Sequence, residues 1–194
     1  MKTKELIIST ANKLLIERGY NAFSYKAISE EIGIKTSSIH YYFPAKTDLG
    51  MAIIQNHSKA LADTIEKTKD KNALEKLNKL FLYYKRLVQD DKVCIVSALT
   101  SDINTLEEPL RIELIKFSNE VIAWTASILE EGHSQNTIKI VTDVPLKAKM
   151  IIANLMALMQ ITRIEKSKEL FDQMTALILA ELTTQDRQIP KNVR

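Results

Sequence analysis

Apolar residues recur at helical spacing along almost the whole chain, and no window alternates apolar and polar positions as a strand does. Ile7, Ala11, Leu14 and Leu15 form one face of a first helix over about residues 4–18, with Gly19 as its stop. Ala27, Ile28 and Ile32 follow Ser24, whose hydroxyl can accept from a free N–H at a helix start. Gly33 closes this second helix, because glycine takes the left-handed C′ conformation without penalty. Thr36 offers another N-cap, and residues 37–43 make little more than two turns before Pro44 forbids continuation. A fourth helix starts near Lys46 and carries Leu49, Ile53, Ile54 and Leu61 toward Thr68. Its polar end, KTKDKN, is the best candidate for a domain boundary.

Further along, residues 73–89 place Leu74, Leu77, Leu80, Phe81, Tyr84 and Val88 on a broad apolar face. A short helix over about 93–103 contains Cys94. Pro109, at a first helical position, opens a long helix that Gly132 is expected to end. HSQNTIKIVTD reads as a loop; Pro145 opens a helix to about residue 164, and a last helix spans about 168–182. The polar tail QDRQIPKNVR is expected to fray. The predicted fold class is all-α.

The helix after Pro145 bears on assembly. Met150, Ile151, Ile152, Leu155, Met156, Leu158, Met159 and Ile161 leave it almost no polar face, so it must be covered on more than one side. One reading buries it within a larger monomer. The other sets one side on the chain's own core and the other on a second copy, where Leu170, Phe171, Met174, Leu177, Ile178 and Leu182 of the last helix complete a two-fold, four-helix contact.

The second and third helices, joined by so short a turn, fit a helix-turn-helix, whose second helix lies in the DNA major groove. Its residues suit that role, with hydroxyls at Ser37 and Ser38, then His40, Tyr41 and Tyr42, and with Lys35 before and Lys46 after. Charge supports this weakly. The 194-residue chain carries a net charge of +3, and residues 1–60 hold eight Lys/Arg against five Asp/Glu while the remainder is balanced. Apolar content of 45% and charged content of 26% fit an ordinary globular protein. The longest apolar stretch, residues 150–161, is too short to span a bilayer, and the amphipathic N-terminal stretch does not look like a leader. A single cysteine excludes an internal disulfide and fits a reducing compartment, so a soluble, cytoplasmic protein with no membrane partner is expected.

The run GYNAFSYKAISEEIGIKTSSIHYYFPAKTDLGMAI, in this order of elements, resembles the TetR family of bacterial transcriptional regulators. The match covers about residues 4–56, with glycine, apolar, aromatic and lysine positions in register; beyond residue 60 the resemblance is architectural. It implies an all-helical dimer with a three-helix DNA-binding domain over residues 1–46 and an effector-binding and dimerisation domain over 47–194. By position, Lys35, Thr36, Ser37, His40 and Tyr41 would approach bases and nearby phosphates. Tyr42 and Lys46 would grip the backbone, and Ser24, Tyr25 and Lys26 would touch phosphates at the start of the second helix. His40 stands where many members have tyrosine, which leaves base preference open. Phe43 reads as core, and Tyr41 has a packing alternative.

The resemblance also implies a small-molecule pocket among the middle helices, with Phe81, Tyr83, Tyr84, Cys94, Leu99, Phe117, Trp124, Met156 and Gln160 as candidates for its wall. Each reads more readily as plain core than as a ligand contact. Cys94 invites a sharper hypothesis, since a helix start and nearby Lys92 would lower a thiol's pKa. Its apolar neighbours Val93, Ile95 and Val96 suit an inert buried thiol instead. The three histidines show no ligand spacing, so no metal is expected, and no cofactor or catalytic motif appears. His57 reads as solvated or as a domain contact. The expected function is a dimeric, effector-released repressor on a pseudo-palindromic operator, not an enzyme. Activation within the same family, or redox and electrophile sensing through Cys94, are the alternatives.

Overall fold

The computed structural model describes residues 3–183, and these are helical with no strand. In chain order they form α1 (Thr3–Arg18), α2 (Tyr25–Ile32), α3 (Thr36–Tyr42), α4 (Lys46–Thr68), α5 (Ala73–Gln89), α6 (Ile95–Thr100), a 3-10 turn (Ile103–Thr105), α7 (Glu108–Ser134), α8 (Val144–Glu165) and α9 (Glu169–Thr183). The tail expected to fray lies outside the described residues. Two compact units result: Met1–Lys69 with Leu87–Val121, and Asp70–Arg86 with Ile122–Arg194.

In the first unit, α1 packs on α2, α4 and α6, and α2 packs on α3. The predicted α1 stripe of Ile7, Ala11, Leu14 and Leu15 is fully buried, joined by Phe23, Ile28, Ile39, Ile53, Ile54, Leu99 and Leu110 in one core cluster. Gly19 ends α1 at a φ of +83°, and a Cβ there would come within 3.2 Å of an Asp102 carboxylate oxygen. That carboxylate accepts from the Asn21 backbone N–H at 3.1 Å and from its side-chain amide at 2.9 Å. The same amide donates to the Thr105 hydroxyl at 2.8 Å. The α1–α2 turn is thereby tied to the 3-10 turn, 81 residues away along the chain.

α6 is shorter than the expected 93–103. Cys94 caps it from outside, and the chain tightens into the 3-10 turn at Asp102. The long α7 also departs from expectation, running through Gly132 to Ser134, while Asn136 takes the left-handed turn at a φ of +56°. Gly132 is required for contact, not termination. The backbone N–H groups of Thr137 and Ile138 both donate to its carbonyl, and a Cβ would sit 2.5 Å from Ile138 Cδ1 and 2.9 Å from its Cβ.

In the second unit α8 packs on α9. Asp143 caps α8 by accepting from the Leu146 N–H at 2.9 Å, with Pro145 in the first turn. Lys166 ends it in the left-handed conformation at a φ of 53°. Ile151, Ile152, Leu155, Leu158 and Met159 are buried. Leu146, Met150, Ile161 and Ile164 of α8, with Met174 and Leu177 of α9, are exposed. At 22 residues α8 is, by length and composition alone, apolar enough to cross a membrane, longer than the 150–161 core of its apolar run suggests.

His57 of α4, expected to be solvated or a domain contact, is drawn into the first unit. Its Nε2 lies 2.9 Å from Asn12 Oδ1 on α1, and its ring centroid is 6.0 Å from that of Phe117. Burial favours the neutral ring and pushes its pKa down to about 4.

Two measurements test this packing. Gly132→Ala should lower unfolding free energy by about 1–3 kcal/mol through overpacking against Ile138, read by urea denaturation. An unchanged midpoint would mean that Ile138 yields freely. For His57, the unfolded chain binds a proton near its ordinary pKa of about 6.5 while the folded chain resists until about 4. Stability from this group is therefore complete above about pH 6.5 and falls as pH drops toward 4, by up to about 3 kcal/mol. His57→Gln should flatten that part of the profile. Equal acid sensitivity in both proteins would refute the assignment.

Candidate nucleic-acid interface

α2 is set by its caps. Ser24 Oγ accepts from the Ala27 N–H at 3.2 Å, and Gly33 ends the helix at a φ of +70°. Both match the expectation from sequence. α3 starts differently: Lys35 holds the N-cap position without a side-chain bond, and Thr36 is the first helical residue. The Thr36 hydroxyl points back to α2 and donates to Ser29 Oγ at 3.2 Å. It secures the turn between the helices where a cap was expected.

α3 has one inner and one outer side. Ile39, fully buried, and Phe43, just after the helix, anchor the inner side. Ser37, His40 and Tyr41, at i, i+3 and i+4, lie exposed on the outer side, with Tyr41 82% exposed. Lys35 and Lys26 are also exposed, Lys26 only loosely paired with Glu30 at 3.9 Å. Tyr42 lies beside Tyr41, their rings edge to face with centroids 5.2 Å apart. A short helix with polar and aromatic groups outward and an apolar anchor inward can be laid in a groove without losing its own packing.

Other residues selected from the sequence have internal partners. The half-buried Tyr25 shares its hydroxyl proton between the Phe43 carbonyl at 2.8 Å and the Ala45 carbonyl at 2.7 Å. Desolvation first, and the Asp48 carboxylate second, push this phenol up to about 12. The Tyr25 ring meets the His40 imidazole edge-on, centroids 4.7 Å apart, and His40 Nδ1 lies 3.4 Å from the Pro44 carbonyl. Lys46 places its ammonium 4.5 Å from the ring centres of both Tyr20 and Phe23, a cation–π contact that partly withdraws it from water and lowers its pKa. In this geometry the Tyr25 hydroxyl proton is committed to main-chain carbonyls, while the Lys46 ammonium rests over two aromatic rings. Asp48, which apolar spacing did not single out, accepts from the Ala45 N–H at 2.9 Å and fixes the start of α4. An acid three residues after a position that cannot cap itself was the available signal.

The candidate pocket residues fall in both units. Phe81, Tyr84 and Trp124 are buried in the second, and Cys94, Leu99 and Phe117 in the first. Met156 is half-buried, whereas Gln160 is exposed on α8 and Tyr83 is 42% exposed. Cys94 Sγ caps α6, accepting from the Ser97 N–H at 3.4 Å and lying 3.3 Å from the Ser97 hydroxyl. Lys92, expected to activate the thiol, pairs with Asp90 at 3.0 Å. Burial outweighs the capping contacts and pushes the thiol pKa up, as the inert buried reading requires and against the activated one. Among the described residues no group of three or more His, Cys, Asp or Glu could hold a metal ion.

Known proteins share this arrangement. Residues 7–53 match the model for "Bacterial regulatory proteins, tetR family", and residues 73–178 match "Tetracyclin repressor-like, C-terminal domain". The structure is similar to a TetR-family transcriptional regulator from Agrobacterium tumefaciens, with 28% identity, a TM-score of 0.87, and coverage of 93% of this chain and 97% of that one. It is likewise similar to a TetR transcriptional regulator from Legionella pneumophila, with 29% identity, a TM-score of 0.85, and coverage of 94% and 98%. The HTH-type transcriptional repressor DhaR of Mycobacterium sp. (strain GP1) is 19% identical over 181 residues, 92% of this chain and 91% of DhaR. With the C-terminal match alone spanning over half its length, the chain belongs to the TetR family, ligand-responsive DNA-binding transcriptional regulators that are typically dimeric repressors and not enzymes.

Proposed function

We propose that this protein is a cytoplasmic homodimeric repressor that lays α3 of each subunit into the major groove of a pseudo-palindromic operator. One observation carries the reading: Ser37, His40 and Tyr41 stand outward on a helix whose opposite side is anchored by Ile39 and Phe43. Lys35 and Lys26 are placed to neutralise phosphates, and Thr36 and Tyr42 flank the reading face. Ser24, Tyr25 and Lys46 serve first to shape this surface, through the cap, the carbonyl clamp and the cation–π contact.

Residues 1–46 act as the reading head and 47–194 as the effector-binding and dimerisation part. The outward apolar side chains of α8 and α9, among them Met150, Ile161, Met174 and Leu177, suit a two-fold contact between copies. Buried aromatics such as Phe81, Tyr84 and Trp124 suit a small, largely apolar effector. Such a ligand releases the operator only by binding one conformer more tightly than the other. The burial of Cys94, which outweighs its capping contacts, favours an inert thiol over the sensing alternative.

Anisotropy titrations on duplex fragments from the protein's own regulatory region test the reading. Affinity should fall steeply with salt. Lys35→Ala should weaken binding to every sequence and reduce the salt slope by about one. Tyr41→Ala should cost about 1–3 kcal/mol on the specific site alone. Salt-independent binding indifferent to both changes would refute operator recognition through α3. For Cys94, a thiol reagent should label the native chain on the order of 100-fold more slowly than the denatured chain. Equal rates would restore the sensing alternative.

A further inference from the structure

We infer that His40 reads the operator as a hydrogen-bond acceptor, through an unprotonated Nε2 that selects the exocyclic amino group of adenine or cytosine, and that Tyr25 is the positioning residue imposing this state. The inference deepens the operator-binding reading above and rests on it. A neutral imidazole has one N–H and one lone pair, and the partner of one nitrogen decides the role of the other. Nδ1 of His40 lies 3.4 Å from the Pro44 carbonyl oxygen. A carbonyl only accepts, so the contact is attractive when Nδ1 carries the proton. Nε2 on the far edge of the ring is then a bare acceptor, and it has no partner among the described residues.

Tyr25 builds both parts of this arrangement. Its hydroxyl holds the carbonyls of Phe43 at 2.8 Å and Ala45 at 2.7 Å, which flank Pro44 and fix the bend that turns the Pro44 carbonyl to His40. Its ring stands edge-on to the imidazole, centroids 4.7 Å apart at 64°, and walls one side of it. Pro44 contributes no N–H of its own to the bend. The chemistry of the target follows. Phosphate oxygens only accept, so Nε2 finds no donor on the DNA backbone. In the major groove adenine N6 and cytosine N4 donate, whereas guanine O6 and N7 and thymine O4 would set lone pair against lone pair. His40 is thus a base reader, not a backbone contact.

Two measurements on the full chain decide it. In nitrogen-15 NMR spectra at about pH 8, with His40 assigned by the loss of its signals in His40→Gln, Nε2 should resonate as an unprotonated nitrogen and Nδ1 as a protonated one. Tyr25→Phe should convert this to a mixture of tautomers with helical content unchanged; an undisturbed tautomer would remove Tyr25 from the positioning role. On an operator obtained by selection from random duplexes, each adenine or cytosine is replaced by its analogue lacking the amino group. One half-site position should then cost the native protein about 3- to 10-fold in affinity and cost His40→Ala nothing. This cycle does not depend on Tyr25→Phe folding. A protonated Nε2, or no position whose penalty vanishes in His40→Ala, overturns the inference while operator binding stands. Failure to bind any duplex overturns the operator reading and this inference together.

Discussion

A seven-residue helix cannot sustain itself in water, because its nucleation cost is met by only a few hydrogen bonds. α3 exists because Ile39 and Phe43 sink into the core formed with α1 and α2, each contributing about 2 kcal/mol of apolar burial. That anchoring sets the phase of the helix and therefore which side chains face out. With Ile39 fixed inward, Ser37, His40 and Tyr41 have no other side to occupy. The recognition surface is the complement of a packing decision.

The polar contacts around α3 refine what the apolar anchor sets coarsely. Tyr25 holds the Phe43 carbonyl and shares the Ala45 carbonyl with the first N–H groups of α4, and Asp48 satisfies the Ala45 N–H. Lys46 lies over two aromatic rings at the start of α4, where a cation opposes the helix dipole, and the π faces offset part of that penalty. Tyr25 and Lys46 belong to the short segment that a family resemblance assigns to phosphate contact. Here Tyr25 bonds main-chain carbonyls through its hydroxyl, and Lys46 lies against the Tyr20 and Phe23 rings.

Much of the fold was legible because helical periodicity is a local signal. α5 and the span of α4 follow from apolar spacing alone, and Ser24 and Gly33 act as their chemistry dictates. The misreadings share a cause: a residue with strong local preference was claimed by a distant partner. Thr36 could have capped α3, but Ser29 offered its hydroxyl a partner. Gly132 could have ended α7, but it was needed for Ile138 to fold back against the helix. Cys94 was not misread in this way: its apolar neighbours already pointed to an inert buried thiol, and burial raises its pKa. The bonds from Asn21 to Asp102 and from Asn12 to His57 join residues 81 and 45 positions apart, a separation no local pattern encodes. That Ser37, His40 and Tyr41 face outward together could be read from their spacing around Ile39. Spacing did not distinguish a side chain facing water from one, like Tyr25, committed to its own main chain.

The carboxylate of Asp102 sits against the turn between the first two helices. On one flank Gly19 has no side chain to yield, and on the other Asn21 is held by both main-chain and amide protons. The 3-10 turn following α6 is thereby joined directly to the turn between the first two helices by the Asp102 carboxylate. That link bypasses α4 and α5, which lie between the two turns along the sequence.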